Sequence, residues 1–546
     1  MITTSHKVPA LTFFQRAQTV DVERKPTPQP PPRMRNKIEY VPLNRELTTY
    51  GGRDLAALEH EISIADRRPA RGIDDYCHID IETLELSMRS RTGPELSYAL
   101  TALQLLSPMR SAQAPGDREQ QERGIPLSSA PELLDDLLDL IEETAFGTGY
   151  DGLGIGLGEL PKFPPFPAKD RDAVTTRPWT HRELVSFVHE EGSDLFAPVE
   201  DDDTFAQRPL PRKVQHILAS LNILANLAPT FENDQAMGRH PRLLQVLAQL
   251  CTLDPPCAPL NGPVTAPRSV SKALTLKDVI DVRKHVLIIL YGLRPAHVHL
   301  KNASEERTRM LFDLLSSFVL DQEESLPPSQ LIAALVGTPD SVPPALTEMA
   351  LEAFTQLALA DENRKHIARA IPAPRIAGLF NALVHRLPIR ERDYQTVFRQ
   401  AWLVWTEHII MALYTLAFLA PPSVKRAIRS DTRLGLGGIL LRLVRRFTAA
   451  MPHPEYREHF TVVTRRAVEL AKVIDDAEDV FDTPAATGGA ILGFGMGYGE
   501  SSVQRIEKGT GLYGGHQDAV WAVLAMGPGV LDDVTFAELD SLARLG

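Results

Sequence analysis

The stretch Val214-Gln-His-Ile-Leu-Ala-Ser-Leu-Asn-Ile-Leu-Ala-Asn-Leu-Ala-Pro229 decides the fold of this chain. Its apolar residues Ile217, Leu221, Leu224 and Leu227 recur at steps of three and four, which predicts an amphipathic helix with one buried stripe. Pro229 ends the helix, because proline cannot continue one. We expect replacement of a buried leucine such as Leu224 by alanine to cost about 2–5 kcal/mol.

The same pattern returns four times: an apolar helix, a short turn, a polar stretch and a second apolar helix. The first helices end at Asn226-Leu-Ala-Pro229, Gly292-Leu-Arg-Pro295, Gln356-Leu-Ala-Leu359 and Thr415-Leu-Ala-Phe418. The second helices contain Leu243-Leu-Gln-Val-Leu247, Met310-Leu-Phe-Asp-Leu-Leu315, Ile376-Ala-Gly-Leu-Phe380 and Ile439-Leu-Leu-Arg-Leu443. The pattern predicts an all-α, armadillo/HEAT-like helical solenoid.

The spacing of the copies indicates insertions within the repeats. Successive turns are 66, 64 and 59 residues apart, whereas ordinary HEAT and armadillo repeats have about 40–47 residues. The run Val286–Leu290 is apolar on every side, so we expect its helix to be central in the stack. A stack of this kind offers one long surface to partners rather than a single catalytic pocket.

Charge and composition argue against two classes of nucleic-acid-binding protein. The formal net charge is −12, whereas a duplex-binding protein needs a basic surface to release counterions. Aromatic residues make up only 6% of the chain, which is little for a platform that stacks single-stranded bases. These totals remain compatible with local basic strips.

The cysteines favour a reducing compartment and no metal site. Cys77, Cys251 and Cys257 are too few for a disulfide framework. Cys251 and Cys257 lie close together around Pro255-Pro256, but a structural zinc ion takes four ligands and no further pair lies nearby in the sequence. We therefore predict no metal and no cofactor.

The hydropathy pattern predicts a soluble protein with no membrane partner. The N-terminus lacks the apolar core of a signal peptide. The longest nearly apolar run, Ile409 to Ala420, is about 12 residues, and a spanning helix needs about 20.

Helix signals, prolines and glycines divide the chain into seven predicted segments. These are a disordered, Pro-rich basic leader (1–36), an N-terminal helical unit (37–110), a linker (111–130), an amphipathic helix (131–146), a Gly/Pro-rich linker (147–178), an armadillo-like repeat core (179–481), and a Gly-rich segment with short C-terminal helices (482–546). Outside the four copies, helices are predicted at Leu55–Ile64, Thr83–Ser90, Pro94–Leu106, His181–Phe196, Tyr456–Val480, Asp518–Met526 and Phe536–Leu545.

Two features of the linkers and the leader imitate functional motifs. The glycines at 154–158 and 493–499 resemble phosphate-binding loops, but such a loop lies between a buried strand and a helix, and neither stretch has that context. The basic residues around Pro26–Pro32 fit either a nuclear-import signal or a solvated tail.

The predicted helix at 131–146 has one apolar face and one acidic face. The acidic face carries Glu132, Asp135, Asp136, Asp139, Glu142 and Glu143. Two interpretations are open: a solvated helix face, or a docking strip for a basic partner.

Catalytic or ligand-binding constellations are not apparent in the sequence. Neither a nucleophile elbow, nor a Walker loop, nor a His-Glu-x-x-His helix occurs. His297-Val-His299 lacks a carboxylate nearby, and His189-Glu190-Glu191 is typical of a helix end. We predict that the protein is not an enzyme and has no small-molecule substrate.

Two further clusters are interpreted as structural. Asp475-Asp476 and Glu478-Asp479 are predicted on the exposed side of a helix. Trp402 and Trp405, close to His408 and Tyr414, have a spacing that fits packing between helices better than a ligand cage.

Four segments follow one another along the chain: Ile38–Gly52, Leu86–Ser107, Glu132–Leu140 and Ala219–Ala228. In this order they resemble segments of the large ARID-bearing subunit of fungal SWI/SNF chromatin remodellers. Ile38–Gly52 is similar to the segment that follows the ARID domain in that family, and Leu86–Ser107 and Glu132–Leu140 are similar to its next two landmarks. Ala219–Ala228, with Asn233 and His240-Pro241, resembles the first armadillo-like repeat. The resemblance covers roughly residues 37–450.

The resemblance implies a nuclear, non-catalytic scaffold that organises other remodeller subunits, while the ATPase is a separate chain. Only 37 residues precede Ile38, too few for the family's DNA-binding ARID domain, so contact with nucleosomal DNA is expected to be indirect. Two alternatives are the equivalent subunit of an RSC-type remodeller and a free armadillo adaptor in transport or degradation. Adaptors line a groove with a regular ladder of asparagines, and Asn222, Asn226, Asn302 and Asn381 do not recur in register.

Overall fold

The structure, a computed structural model, describes residues 49–50, 53–67, 80–108, 125–147, 172–192, 214–230, 233–293, 298–320, 343–450, 456–477, 512–513, 516–525 and 533–545. These residues are mostly helical, which confirms the predicted all-α class. The leader at 1–36 and the glycine runs at 154–158 and 493–499 lie outside them. The chain divides into two compact units, Met1–Gly72 and Ile73–Gly546.

The first unit contains a small hairpin and one helix among its described residues. Strand β1 (Thr49–Tyr50) pairs antiparallel with β2 (Arg53–Asp54), with Tyr50 opposite Arg53. Helix α1 (Leu55–Arg67) follows and confirms the helix predicted from Leu55.

The second unit is built from helices. In chain order they are α2 (Ile81–Ser90), α3 (Gly93–Leu106), α4 (Leu133–Phe146), α5 (His181–Gly192), α6 (Val214–Leu227), α7 (Asn233–Arg239), α8 (Leu243–Leu250), α9 (Leu276–Gly292), α10 (Glu305–Ser317), α11 (Ala345–Leu357), α12 (Asp361–Ala370), α13 (Ala373–Val384), α14 (Glu391–Val397), α15 (Gln400–Leu419), α16 (Pro422–Ser430), α17 (Leu436–Ala449), α18 (Arg457–Asp476), α19 (Gln517–Leu524) and α20 (Asp533–Leu545). Short 3₁₀ helices are η1 (Asp172–Val174) and η2 (Leu300–Asn302).

Four two-residue strands accompany these helices. Strand β3 (Thr176–Arg177) pairs with β5 (Ala258–Pro259), and β4 (Leu253–Asp254) pairs with β6 (Arg268–Ser269), both antiparallel. They hold the irregular segments before α5 and after α8 against each other.

The four copies seen in the sequence are confirmed as helix pairs with a short helical element between them. We call α6–α8 repeat 2, α9–η2–α10 repeat 3, α11–α13 repeat 4 and α15–α17 repeat 5. The fourth turn was misplaced: α15 continues past Leu416 and ends at Leu419, so the turn is Leu419-Ala-Pro421, 62 residues after Leu357. The error arises because Leu-Ala occurs twice here, at Leu416-Ala417 and at Leu419-Ala420, and only the second copy precedes proline.

Helices α3 and α4 form an additional pair upstream, which we call repeat 1. Helix α3 packs on α6, and α4 packs on both α6 and α8, as the helices of the later repeats do with their neighbours. The first helices then contact one another in sequence order, α3 with α6, α6 with α9, α9 with α11, α11 with α15, and α15 with α18. At one of these contacts a Cβ on Gly292 would lie 3.0 Å from the Cβ of Ala228, so the helix ends approach too closely for a larger residue.

Apolar stripes predicted from the sequence form the core. Ile217, Leu221, Leu224 and Leu227 are all fully buried in α6. Helix α18 buries Phe460, Val463, Ala467, Leu470 and Ile474. The run Val286–Leu290 is buried except for Ile288, which is 37% exposed. Helix α9 contacts α5, α6, α8 and α11, in agreement with the central position expected for it.

Helix α15 is the longest apolar helix of the core. Among the described residues, 401–419 is the one helical stretch long and apolar enough to cross a bilayer by length and composition, and most of it is buried inside the protein. It packs against α11, α13, α14 and α18. In the sequence, Glu407 and His408 interrupt its apolar run.

Candidate functional site

A buried asparagine joins repeat 4 to repeat 3. Asn363, on α12, is 1% exposed. Its Oδ1 accepts a hydrogen bond from the Leu300 N–H at 3.0 Å, and its Nδ2 donates to the Val298 carbonyl at 2.8 Å and to the Leu357 carbonyl at 3.0 Å. One amide thus satisfies three buried backbone groups, two of them in the preceding repeat.

The same contact joins repeat 2 to repeat 1. Asn233, on α7, is fully buried. Its Oδ1 accepts from the Leu127 N–H at 2.7 Å, and its Nδ2 donates to the Ile125 carbonyl at 2.8 Å. In both places the amide binds the carbonyl of one residue and the N–H of the residue two further on. We call this contact the asparagine clamp.

A short sequence pattern marks the asparagine clamp. Its asparagines, Asn233 and Asn363, are not among those compared above for a regular ladder. Leu227-Ala-Pro-Thr-Phe-Glu-Asn233 and Leu357-Ala-Leu-Ala-Asp-Glu-Asn363 share the pattern Leu-Ala-x-x-x-Glu-Asn. The residue six after Leu419 is Lys425, which is 1% exposed. At these three places the side chain is interior, and the two asparagines hold the chain's own backbone.

The acidic face of α4 is occupied by arginines of the same chain. Arg89 Nε lies 2.9 Å from Asp136 Oδ1, and Arg89 also pairs with Glu132. Arg91 Nε lies 2.9 Å from Glu143 Oε2. These contacts attach α2 and the residue that follows it to α4.

Repeat 2 binds the remainder of that face. Arg242 reaches Asp139 at 2.6 Å, Glu142 at 2.8 Å and Asp135 at 3.3 Å. His240 Nε2 lies 3.1 Å from the same Asp135 oxygen. The prediction of a freely solvated face was therefore wrong for Asp136, whose side chain is only 12% exposed. The basic groups expected of a docking partner are supplied from within the chain.

A buried charged cluster ties repeat 3 to repeat 4 and to the β3–β5 pair. Asp313 on α10 and Arg375 on α13 are 7% and 6% exposed, with Arg375 Nε 4.0 Å from Asp313 Oδ1. Arg375 Nη2 donates to Thr176 Oγ1 at 3.0 Å and to Cys257 Sγ at 3.2 Å. Arg309 Nε donates to the Ala370 carbonyl at 3.3 Å.

Burial dominates the ionisation of this cluster. It raises the pKa of Asp313 to about 6, and the nearby Arg375, Arg309 and Arg283 oppose that shift. It raises the pKa of both thiols, Cys251 and Cys257, to about 12. Because the thiolate is the reactive form of cysteine, these thiols are poor nucleophiles and poor metal ligands at neutral pH.

The cavity beside the cluster is small. It is lined in part by Trp179, Cys251, Arg283, Met310 and Asp313 and has a volume of about 30 Å³. A cavity of about 10–15 Å³ holds one water molecule, whereas sites for small-molecule ligands have about 300–1,000 Å³. Although the pKa of Asp313 would suit a general base, the cavity has room for water but not for a substrate. The cluster is best explained as a connection between repeats.

The other side chains singled out in the sequence lie on different helices, α5 and α15. His189 and Glu190 are exposed near the end of α5. Trp402 and Trp405 are 1% and 3% exposed and meet edge to face, with ring centroids 6.4 Å apart, which confirms their packing role. His297 lies outside the described residues. Within the part of the chain that the structure describes, no group of three or more histidines, cysteines or carboxylates could hold a metal ion.

Asp475 corrects the prediction of an exposed carboxylate. It is 2% exposed, and its Oδ1 accepts a hydrogen bond from the Leu512 N–H at 2.6 Å. The predicted Gly-rich segment 482–546 therefore contributes a residue that packs on α18. A Cβ on Gly437 would lie 2.6 Å from the Leu512 carbonyl oxygen, so this glycine admits the segment on the α17 side. Glu478 and Asp479 lie outside the described residues.

No protein family matches the chain, and a comparison with curated proteins finds no match either.

Proposed function

We propose that this chain is an armadillo/HEAT-like helical solenoid and serves as a non-catalytic scaffold subunit of a SWI/SNF-type chromatin-remodelling complex in the nucleus. The observation that carries the architecture is the succession of contacts from α3 through α6, α9, α11 and α15 to α18. Each repeat contacts its sequence neighbours, as solenoid repeats do. The assignment to a remodeller rests on the resemblance of residues 37–450.

The use of polar groups supports a scaffold over an enzyme. The asparagine clamp, the α4 carboxylates and the Asp313–Arg375 cluster all connect one part of the chain to another. Such groups fix the geometry of neighbouring repeats. A scaffold requires fixed geometry, because its partners must be held at defined positions.

The asparagine clamps also favour a scaffold over a free adaptor. An adaptor that reads an extended peptide presents its asparagines in an open groove. Asn233 and Asn363 recur at the same position of their repeats, but both are buried and bonded to the chain's own backbone.

A groove between α13 and α16 is a suitable place for another subunit. It has a volume of about 290 Å³ and is lined by small and apolar residues that include Ala377, Val424, Ala427 and Ile428. An amphipathic helix or extended segment would place apolar side chains there. A permanent assembly of this kind buries more than about 2,000 Å² in total, so the groove would be one part of a larger interface.

Affinity purification followed by mass spectrometry tests the proposal. We expect the tagged full chain to be recovered with a remodeller ATPase and other remodeller subunits, whose identities also distinguish a SWI/SNF-type from an RSC-type complex. The double variant A377R/A427R should lose at least one of these subunits. Thr101→Arg, at an exposed position of α3, is the matched control and should retain them. Recovery of the wild-type chain alone, or with transport or degradation factors, would refute the proposal.

A further inference from the structure

The charge of the chain is distributed very unevenly. Although the whole chain has a formal net charge of −12, residues 386–466 contain thirteen arginines, one lysine and six carboxylates. The lysine is Lys425, which is buried. Exposed basic groups in this stretch are therefore arginines alone.

Five of these arginines are exposed around one contact between α17 and the start of α14. We call them the arginine face: Arg390, Arg392, Arg442, Arg445 and Arg446. The last three are three and four residues apart on α17, so they lie on one side of that helix. Arg442 Nη1 donates to the Ile389 carbonyl at 2.5 Å, and Arg446 pairs with Glu391. These contacts bring the two groups of arginines together.

The nearby carboxylates do not neutralise this face. Glu391 is the partner of Arg446, and both are largely exposed, at 61% and 46% of the side chain. Asp393 Oδ2 accepts hydrogen bonds from the Ile389 and Arg390 N–H groups, at 3.0 and 2.7 Å, and so caps α14. Five guanidinium groups thus stand beside two carboxylates.

An aliphatic side chain lies in the middle of the arginine face. Ile389, whose carbonyl binds Arg442, is itself 43% exposed. Arginine is enriched and lysine depleted in protein–protein interfaces. An exposed aliphatic group has no counterpart on a phosphate backbone. These features favour a protein partner over a nucleic acid.

We propose that the arginine face binds an acidic segment of a partner protein, with carboxylates on the guanidinium groups and an apolar side chain on Ile389. Forked guanidinium groups recognise carboxylates with two parallel hydrogen bonds. The inference goes beyond the proposed function and does not depend on which complex contains the chain.

Fluorescence anisotropy with the full chain tests this proposal. The probe is a labelled peptide of glutamates and aspartates with a central leucine, at an ionic strength of about 0.15 M. The variant R442E/R445E/R446E should bind about 30-fold more weakly, as expected when charge pairs are lost from an interface. The matched control R268E/K272E/K277E changes the net charge equally at three exposed positions elsewhere and should bind within about threefold of wild type.

A second variant keeps the test valid if the triple variant does not fold. R392E/R445E alters two exposed arginines whose side chains make no ion pair among the described residues, and it should weaken peptide binding by about tenfold. Equal weakening in the control would show non-specific charge attraction and overturn the proposal. Tighter binding to a labelled DNA duplex than to the peptide, lost in the same variants, would overturn it in favour of a nucleic-acid surface.

Discussion

The acidic face of α4 and the arginine face on α17 look equivalent in the sequence, yet the structure uses them in opposite ways. Each is a run of like charges at helical spacing opposite a buried apolar stripe. The carboxylates of α4 are met by Arg89, Arg91 and Arg242 of the same chain. Among the described residues, the arginines of α17 meet one carboxylate, Glu391. A charged helix face in the sequence therefore indicates that oppositely charged side chains are needed nearby. Only the fold shows whether the same chain supplies them.

The comparison predicts that contacts satisfied within the chain contribute to stability, whereas the arginine face contributes to binding. The asparagine clamp is the strongest internal contact. Asn363→Ala should lower the free energy of unfolding by about 3 kcal/mol, because it leaves buried backbone groups of Val298 and Leu300 unpaired. Denaturant unfolding measures this loss.

Asn381 provides the control for the clamp. It is half-buried at the edge of the α13–α16 groove, and Asn381→Ala should change stability by less than about 0.5 kcal/mol. Similar losses in the two variants would contradict the role assigned to the clamp.

Breaking the α4 contacts should have a smaller effect. Arg89→Ala leaves the largely buried Asp136 carboxylate without its arginine, which should lower the melting temperature, but by less than Asn363→Ala does. Arg89→Lys retains the charge but loses the forked geometry and should recover only part of that loss. Thermal unfolding of both variants gives the values, and an Arg89→Ala protein as stable as wild type would mean that the α4 face is not held by its arginines.

The pH dependence of the free energy of unfolding tests the effect of burial and of the nearby positive charge of Arg283 on His181. Burial, together with Arg283 and Lys284, lowers the pKa of the half-buried His181 to about 4. The unfolded chain therefore binds a proton at His181 more readily than the folded chain does. The stability contributed by the neutral histidine is lost as the pH falls from about 6.5 to about 4. Allowing for solvent screening, we expect about 1 kcal/mol. His181→Phe should remove this component of the pH dependence. The titration of Asp313 remains in both proteins, so the difference between their pH profiles comes from His181. Identical pH profiles would refute this assignment.

The smallest effect is expected on the arginine face. Arg445 is exposed and makes no ion pair among the described residues, so Arg445→Ala should change the free energy of unfolding by less than about 0.5 kcal/mol. A loss above about 1 kcal/mol in chemical denaturation would show that this face, like that of α4, is satisfied within the chain.

Local patterns in the sequence were sufficient for the helices and their buried sides. The stripe Ile217–Leu221–Leu224–Leu227 and the position of Pro94 in the first turn of α3 are both as predicted. Contacts between distant parts of the chain were not visible. Asp475 was placed on the exposed side because its partner, the Leu512 N–H, lies 37 residues further on in a Gly-rich segment. The α4 face was open to two interpretations for the same reason, since Arg242 lies about 100 residues away.

Chemical modification of arginine side chains, compared between the isolated full chain and the assembly recovered by affinity purification, tests the account most directly. Arg89 and Arg242 should react slowly in both samples, because their carboxylate partners are in the same chain. Arg442, Arg445 and Arg446 should react rapidly in the isolated chain and become protected in the assembly. Equal reactivity of the α17 arginines in the two samples, or rapid modification of Arg89 and Arg242, would contradict the account.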